Sequence, residues 1–184
     1  MKPIVLDASA AVALIREEAA KPEIQRILDQ HDGKLLVPAF FWLEVINSLM
    51  RRHGMPASAV LEAIRELEEL GITATGTDGP ARLMIIDVAE RQRSTAYDAT
   101  YVVLAEMADG KLLTTDRDQA RAAGRRAILV DAAGRISEPP PRYEIEPTWP
   151  SWRGAAAYLG ELRRRAAEES AAWAAAATDP EFGA

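Results

Sequence analysis

Four acidic residues stand where their carboxylates could share one reaction centre. Asp7 follows the apolar run "KPIVL", Asp116 follows "KLLTT", Asp98 opens the helical segment "YDATYVVLAEM", and Glu44 lies inside "FFWLEVINSLM". Carboxylates that converge within a few ångströms repel one another and raise each other's pKa, so a shared site requires a compensating charge. A divalent cation supplies that charge, and water bound to it becomes a nucleophile. This pattern predicts hydrolysis of a phosphodiester.

The three aspartates also have a structural explanation. Asp is a favoured helix N-cap because its side-chain oxygen accepts hydrogen bonds from the free N–H groups of the first turn. Taken singly, Asp7, Asp98 and Asp116 are explained better as caps than as metal ligands. Glu44 differs because it lies in mid-helix among mostly apolar residues, with no basic residue one turn away. A buried carboxylate needs a partner, and a cation shared with the aspartates would provide one.

The elements that would position these residues alternate along the chain. Short apolar or β-branched runs bounded by Gly, Pro or Asp predict strands at 4–7, 35–38, 72–76, 111–115 and 127–130. Patterns between them predict helices at 8–18, 22–30, 39–52, 56–70, 80–93, 97–108 and 119–123. Such alternation indicates an α/β fold, in which a parallel sheet carries helices on both faces. Its ligand site lies outside the carboxyl ends of the strands.

Composition restricts the metal and the compartment. The chain has 184 residues, a net charge of −6, no cysteine and two histidines, His31 and His53. Disulfides, thiolate catalysis and cysteine-based zinc sites are therefore excluded, and any metal must be held by oxygen, which favours Mg²⁺ or Mn²⁺. No run approaches the ~20 apolar residues of a membrane span, and the N-terminus lacks a signal-peptide pattern. We therefore expect a cytoplasmic protein.

Taken together, these segments resemble a known family. Four segments are similar, in order and spacing, to the four signature positions of PIN domains. They are "IVLDASAAVALI", the glutamate of "LEVINSLMRR", "YDATYVVLAE" and "LLTTDRD". They are closer still to the VapC-type toxin ribonucleases of bacterial toxin–antitoxin pairs. The resemblance covers residues 1–131. It implies a PIN-like three-layer α/β/α sandwich with a central, mainly parallel five-stranded sheet.

The same resemblance implies an acidic site for Mg²⁺ or Mn²⁺ formed by Asp7, Glu44, Asp98 and Asp116. Ser9 and Thr114 would lie beside it as water-holding hydroxyls, although cap or strand roles explain them equally well. Asp118 is a further candidate near the metal, but "TDRDQA" also fits the cap and first turn of a helix. The family cleaves RNA, usually forms homodimers and is inhibited by a cognate antitoxin. RNA, a second copy of the chain and an antitoxin are therefore the implied partners.

Several arginines are candidates for an RNA-facing rim. Four of them flank predicted site elements, namely Arg91, Arg93, Arg117 and Arg121, while Arg51 and Arg52 lie at the end of the Glu44 helix. The alternative for each one is an ordinary solvated surface. Which RNA they would bind is left open, because target choice depends on shape and loop contacts.

The chain continues well beyond the last predicted strand. Residues 132–152 are rich in Pro and predict a connector, and residues 153–184 are rich in Ala and predict a helical tail, a C-terminal helical extension. This tail is similar to the toxin-wrapping segments of antitoxins. One hypothesis is inhibition in cis, with Arg142 or Arg153 reaching toward the carboxylates. The alternative is an extension for oligomerisation or solubility.

Other functions fit the residues less well. A haloacid dehalogenase phosphatase requires an aspartate at the position of Ser9, and a receiver domain requires a lysine after its late strand, whereas Lys111 precedes that strand. The strongest rival is a non-catalytic PIN-like module that binds RNA or protein through an incomplete acidic pocket. The sequence also leaves the number of metal ions open, since four carboxylates can hold one or two.

Overall fold

A single mixed sheet forms the centre of the protein in a computed structural model that describes residues 2–144. Its strands are β1 (Ile4–Leu6), β2 (Leu35–Pro38), β3 (Thr73–Thr75), β4 (Lys111–Thr114), β5 (Ala127–Val130) and β6 (Ile136–Ser137). The spatial order is β3-β2-β1-β4-β5-β6, with β1 to β5 parallel and β6 antiparallel to β5. The α/β fold class predicted from the sequence is confirmed.

Seven α-helices cover this sheet within the described residues. They are α1 (Ala8–Ile15), α2 (Lys21–Asp29), α3 (Phe41–Asn47), α4 (Ala57–Glu68), α5 (Gly79–Gln92), α6 (Ala96–Met107) and α7 (Arg117–Ala123). Helix α1 packs on α2 and α3, while α6 packs on α5 and α7 and against β1, β2 and β4. Burial on both faces explains why the central strands are continuous apolar runs such as "IVL" rather than alternating ones.

Strand β1 lies where the chain reverses its path across the sheet. From β1 the chain proceeds to β2 and β3 on one side and later returns to β4 and β5 on the other. The loops that leave the carboxyl ends of β1 and β4 therefore diverge and open a crevice between them, which is the usual ligand position in such sheets. Asp7 directly follows β1, and Asp116 follows β4 after one intervening residue.

The predicted helix over 39–52 is divided into two parts. Helix α3 ends at Asn47, and Ser48–Arg52 form a π-helical turn in which the backbone N–H of His53 donates to the carbonyl of Ser48 at 3.1 Å. In this wider turn a backbone N–H binds the carbonyl five residues earlier in the chain, instead of four as in an α-helix. The spacing of apolar residues in the sequence does not distinguish the two kinds of turn. Such turns occur frequently at functional sites.

A sixth strand lies in the segment predicted as a connector. Asp131 closes the turn before β6, because its side chain accepts hydrogen bonds from the backbone of Ala133 and Arg135, while Gly134 has a positive φ of 72°. Pairing with β6 covers an edge of β5 that would otherwise be open. The remaining connector from 145 onwards and the predicted tail 153–184 lie outside the described residues.

Residues Arg142 and Tyr143 attach the end of the described segment to the helices. The guanidinium of Arg142 donates to the carbonyl of Ala123 at 3.1 Å and to Glu106 at 3.4 Å, and Tyr143 exchanges backbone hydrogen bonds with the side chain of Gln92. The structure thus corrects the hypothesis that Arg142 reaches the four carboxylates, because α6 and α7 already engage it. In residues 2–144, no helix has the length and apolar character needed to cross a membrane.

Candidate active site

A cavity of about 420 Å³ opens at the carboxyl ends of β1 and β4. Its walls come from α1, α3 with the π-helical turn, the start of α6, and the turn between β4 and α7. All four carboxylates predicted from the sequence line it, namely Asp7, Glu44, Asp98 and Asp116. Residues that are far apart in the chain are therefore gathered at one position by the topology of the sheet.

Asp7 is the most buried of the four, with 4% of its surface exposed. It caps α1, and its Oδ2 accepts hydrogen bonds from the backbone N–H and hydroxyl of Ser9 and from Thr114 Oγ1, the last at 2.7 Å. Burial raises the pKa of Asp7 from 3.8 to about 6, the hydroxyl hydrogen bonds oppose that shift, and the charges of Asp116 and Glu44 add to it. Its carboxylate is thus held in place but lacks a compensating charge.

Two hydroxyls connect Asp7 to the turn after β4. Thr114 Oγ1 accepts from the backbone N–H of Asp116 at 2.9 Å and donates to Asp7. Ser9 Oγ accepts from the backbone N–H of Thr115 at 3.0 Å and also donates to Asp7. Because both hydroxyls bind the carboxylate and a backbone N–H of the turn after β4, the two residues fix the position of Asp7 relative to β4.

Glu44 is held by a phenol from α6. Tyr101 Oη donates to Glu44 Oε2 at 2.5 Å, and Tyr101 itself is almost completely buried. Burial, followed by the negative charges of Asp7 and Glu44, raises the pKa of the Tyr101 phenol, which therefore remains a proton donor. Burial also raises the pKa of Glu44; the Tyr101 hydrogen bond opposes this shift, and the charge of Asp98 adds to it.

Asp98 and Asp116 stabilise the helix starts at which they lie. Asp98 Oδ2 accepts from the backbone and hydroxyl of Thr95 in a reciprocal capping box at the start of α6. Asp116 Oδ1 accepts from the backbone N–H groups of Asp118 and Gln119 and caps α7. Asp116 is the N-cap of α7, as predicted, whereas Asp98 is the third residue of α6 and completes the capping box of the N-cap Thr95. Both aspartates line the cavity, so a role at a helix start and a place in the site are compatible.

The four carboxylates share one arrangement. Each binds its neighbours through a single oxygen, which is Oδ2 in Asp7 and Asp98, Oε2 in Glu44 and Oδ1 in Asp116. Within residues 2–144 the second oxygen of each has no hydrogen bond, and none of the four forms an ion pair. Hard oxygen donors without a compensating cation are the ligands that Mg²⁺ and Mn²⁺ prefer.

Their spacing is looser than that of a formed metal site. In the described part of the chain, no group of three or more acidic or histidine side chains is close enough to hold a metal as arranged. The donor set fits a divalent cation in its chemistry, and closer approach of the free oxygens is needed to complete it.

Similarity to known proteins identifies the family of this chain. The family model described as the PIN domain matches residues 4–125, which include β1, β4 and all four carboxylates. The chain belongs to the PIN domain family. It is also 34% identical over 119 residues to Ribonuclease VapC3 of Mycobacterium tuberculosis, a match that covers 65% of this chain and 86% of that protein. The VapC-type resemblance that the sequence predicts is therefore confirmed.

Solved structures show the same fold. VapC20 of Mycobacterium tuberculosis, described as a Sarcin-Ricin loop cleaving toxin, aligns with a TM-score of 0.54 and 17% identity over 65% of this chain and 94% of that one. PAE2754 from Pyrobaculum aerophilum aligns with a TM-score of 0.52 and 25% identity over 71% of this chain and 90% of that one. These alignments agree with the sheet and helix arrangement of a PIN domain.

Four of the arginines predicted as candidates for an RNA rim lie outside the cavity lining of this PIN domain, namely Arg91, Arg93, Arg117 and Arg121. Arg91 pairs with the buried Asp87 at 2.8 Å, and Arg121 forms an ion pair with Asp118. The guanidinium groups of Arg93 and Arg121 lie over the ring of Tyr143, 5.9 and 4.9 Å from its centre. Arg117, in the first turn of α7, does not line the cavity either, and Asp118 is exposed and absent from its walls.

Two polar residues of the site, Tyr101 and Gln119, were not predicted from the sequence. Tyr101 has the spacing of an apolar core residue on α6, which hides its hydroxyl contact with Glu44. Gln119 is buried and its side-chain oxygen lies 3.1 Å from Thr114 Oγ1. Gln119 could have been found from the sequence, because it is a polar residue on the buried side of α7, in the first turn after a capping aspartate.

Replacing Thr114 with Val is expected to loosen Asp7. Valine keeps the shape of this fully buried side chain but leaves the Asp116 N–H without its partner and removes one of the hydrogen bonds to the Asp7 carboxylate. An unsatisfied buried polar group costs about 1–3 kcal/mol, so the free energy of unfolding should fall by that amount in urea titrations. Thr114→Ser keeps the hydroxyl and serves as the control. Equal stability of the Val and wild-type proteins would contradict the role assigned to this hydrogen bond.

Proposed function

We propose that this PIN domain is a metal-dependent endoribonuclease that acts as the toxin of a toxin–antitoxin pair. The main observation in support is the gathering of four carboxylates on one cavity, each with one fixed and one free oxygen. The identity to VapC3, a protein named as a ribonuclease, supports RNA as the substrate.

Asp7, Glu44, Asp98 and Asp116 are the residues that would hold Mg²⁺ or Mn²⁺. When bound, such an ion supplies a water of lowered pKa and neutralises charge on the phosphodiester. The protein contributes the arrangement around it. Ser9 and Thr114 orient Asp7, Tyr101 orients Glu44, and the caps of α6 and α7 orient the other two aspartates.

The direct test is cleavage of a mixed cellular RNA pool by the purified full-length protein. We expect fragments to form with Mn²⁺ or Mg²⁺ and no fragments in EDTA, with activity restored when excess metal is added back. Cleavage that is equally fast in EDTA would exclude the metal-dependent mechanism.

The alternative, a non-catalytic binding module, is favoured by the spacing of the carboxylates. Asp98 and Asp116 already bind groups at the starts of α6 and α7, and the described residues do not contain a ready-made group of three ligands. Thermal unfolding in increasing Mn²⁺ separates the two functions. A competent site should raise the melting temperature with metal concentration, whereas a module without one should show no shift.

Partners and regulation follow from the same proposal. A cytoplasmic toxin of this kind would be paired with a cognate antitoxin, and we propose that it acts as a homodimer. The chain beyond residue 144, which contains the predicted tail, is the second candidate inhibitor. Of the two arginines considered for this role, Arg142 is engaged elsewhere and Arg153 lies outside the described residues.

Removal of residues 145–184 tests inhibition in cis. The truncated chain keeps every helix and strand described above. If the tail competes with RNA, its tethered concentration should make that competition strong, and RNA cleavage should increase about tenfold or more without it. Adding the separate tail as a peptide should then reduce cleavage again. Unchanged activity in the truncated protein would leave oligomerisation or solubility as the role of the tail.

A further inference from the structure

Two arginines at the end of the Glu44 helix line the same cavity as the carboxylates. Arg51 and Arg52 belong to the π-helical turn Ser48–Arg52, and both side chains are exposed. They lie on the cavity wall together with Glu44 and Asp116. The cavity therefore has an acidic side, built from strand ends and helix starts, and a basic side, built from one helix end.

These arginines have no anionic partner in the described part of the chain. Within residues 2–144, neither guanidinium forms an ion pair or a hydrogen bond, although four carboxylates share the cavity. By contrast, Arg91 and Arg121 are both paired with aspartates. Basic residues also stabilise a helix C-terminus through the helix dipole, but that role does not require them to line a cavity.

We infer that Arg51 and Arg52 bind backbone phosphates of the RNA strand on one side of the scissile bond. The inference rests on the proposed function. A strand that enters a cavity lined by four carboxylates is repelled by them, and fixed positive charges offset that repulsion at the flanking phosphates. Guanidinium groups suit this task because their donors match phosphate oxygens in pairs.

The position of the arginines along the helix sets which phosphates they contact. Arg51 and Arg52 follow Glu44 by seven and eight residues, which is roughly 10–12 Å at about 1.5 Å per residue. At that separation the contacts fall on phosphates a few nucleotides away from the site of cleavage. A substrate that is too short to extend that far should not benefit from them.

The test compares Arg51→Ala/Arg52→Ala with wild-type protein in EDTA, which measures binding without metal. The probe is a fluorescein-labelled, single-stranded 12-nucleotide RNA, and the readout is fluorescence anisotropy across a range of KCl. We expect Kd to increase about tenfold or more. The plot of log association constant against log salt concentration should become less steep by about 1.4, or about 0.7 for each lost phosphate contact. A labelled dinucleotide should bind both proteins equally. Arg51→Lys/Arg52→Lys should keep most of the salt slope.

The matched control is Arg65→Ala/Arg125→Ala. It removes the same charge from two exposed positions that do not line the cavity, and it should leave Kd within about twofold of wild type. An unchanged Kd and slope in the Arg51/Arg52 variant, an equal loss in the control, or a wild-type protein without RNA affinity would each overturn the inference. Wild-type cleavage with Mn²⁺ but no arginine effect would reject this inference alone. Arginine-dependent binding without cleavage would reject the proposed function and keep the phosphate contacts.

Discussion

Replacing Asp7 with Asn is expected to abolish RNA cleavage and also to stabilise the metal-free protein. Asparagine keeps the size of the side chain and an oxygen that can accept from Ser9 and Thr114, but it removes the negative charge. Loss of an outer partner of a metal ligand costs 10–100-fold in activity, and loss of a ligand itself should exceed about 100-fold. Cleavage is measured with Mn²⁺, and stability by urea unfolding in EDTA.

The gain in stability follows from the pKa of Asp7. Its pKa is raised from 3.8 to about 6 on folding, mainly by burial, so ionisation above pH 6 disfavours the folded state. At about 1.36 kcal/mol for each pKa unit, the penalty is at most about 3 kcal/mol at pH 8. It disappears as the pH falls through 6 toward 4, where the carboxyl is protonated in both states. The stability difference between Asn and wild type should therefore decrease over the same pH range.

Asp118→Asn is the matched control, since Asp118 is exposed and lies outside the cavity walls. It should change neither cleavage nor stability beyond about 0.5 kcal/mol. Lower stability of the metal-free Asp7→Asn protein at pH 8, or full activity of this variant, would contradict the description of Asp7 as a carboxylate without a compensating charge.

Tyr101→Phe is expected to lower RNA cleavage about 10–100-fold while leaving the fold intact. The change removes one hydroxyl, the only group in the described residues that donates a hydrogen bond to Glu44. Without it, Glu44 should change position, and its pKa should rise further because the opposing hydrogen bond is lost. Steady-state cleavage at several Mn²⁺ concentrations should show a higher metal requirement, which a purely structural effect would not produce.

Tyr97→Phe is the control for that experiment. Tyr97 lies one turn earlier on α6, is 59% exposed and packs edge-on against Phe40, so its ring contact survives the loss of its hydroxyl. We expect wild-type cleavage and wild-type metal dependence. The same loss in both variants would indicate a general effect of α6 rather than an effect through Glu44.

Sequence alone predicted the features that depend on local pattern. Asp7 and Asp116 are polar residues at the ends of apolar runs, and the rule that such ends face one crevice was sufficient to place them together. The unusual position of Glu44 in mid-helix was also visible, because it interrupts an apolar segment. These inferences need only the order of the elements and the connection rules of parallel sheets.

Features that depend on contacts across the fold were not predictable. The hydroxyl of Tyr101 meets Glu44 across 57 positions of sequence, and no local pattern reports such a contact. The π-helical turn differs from an α-helix by one residue per hydrogen-bonded ring, which apolar periodicity does not resolve. Arg93 and Arg121 seemed available for RNA because the ring of Tyr143, which they contact, comes from a segment predicted as a connector.

Each carboxylate of the cavity is bound through one oxygen, and this has an entropic consequence for catalysis. A free aspartate or glutamate side chain samples several rotamers, and ordering it at the moment of binding reduces affinity. In this chain helix caps, hydroxyls and a phenol already restrict these rotamers, so part of the loss of side-chain entropy takes place when the protein folds, and only the closer approach of the free oxygens is left for binding. The hydrogen bonds that begin α1, α6 and α7 thus also prepare the cavity for its ligand.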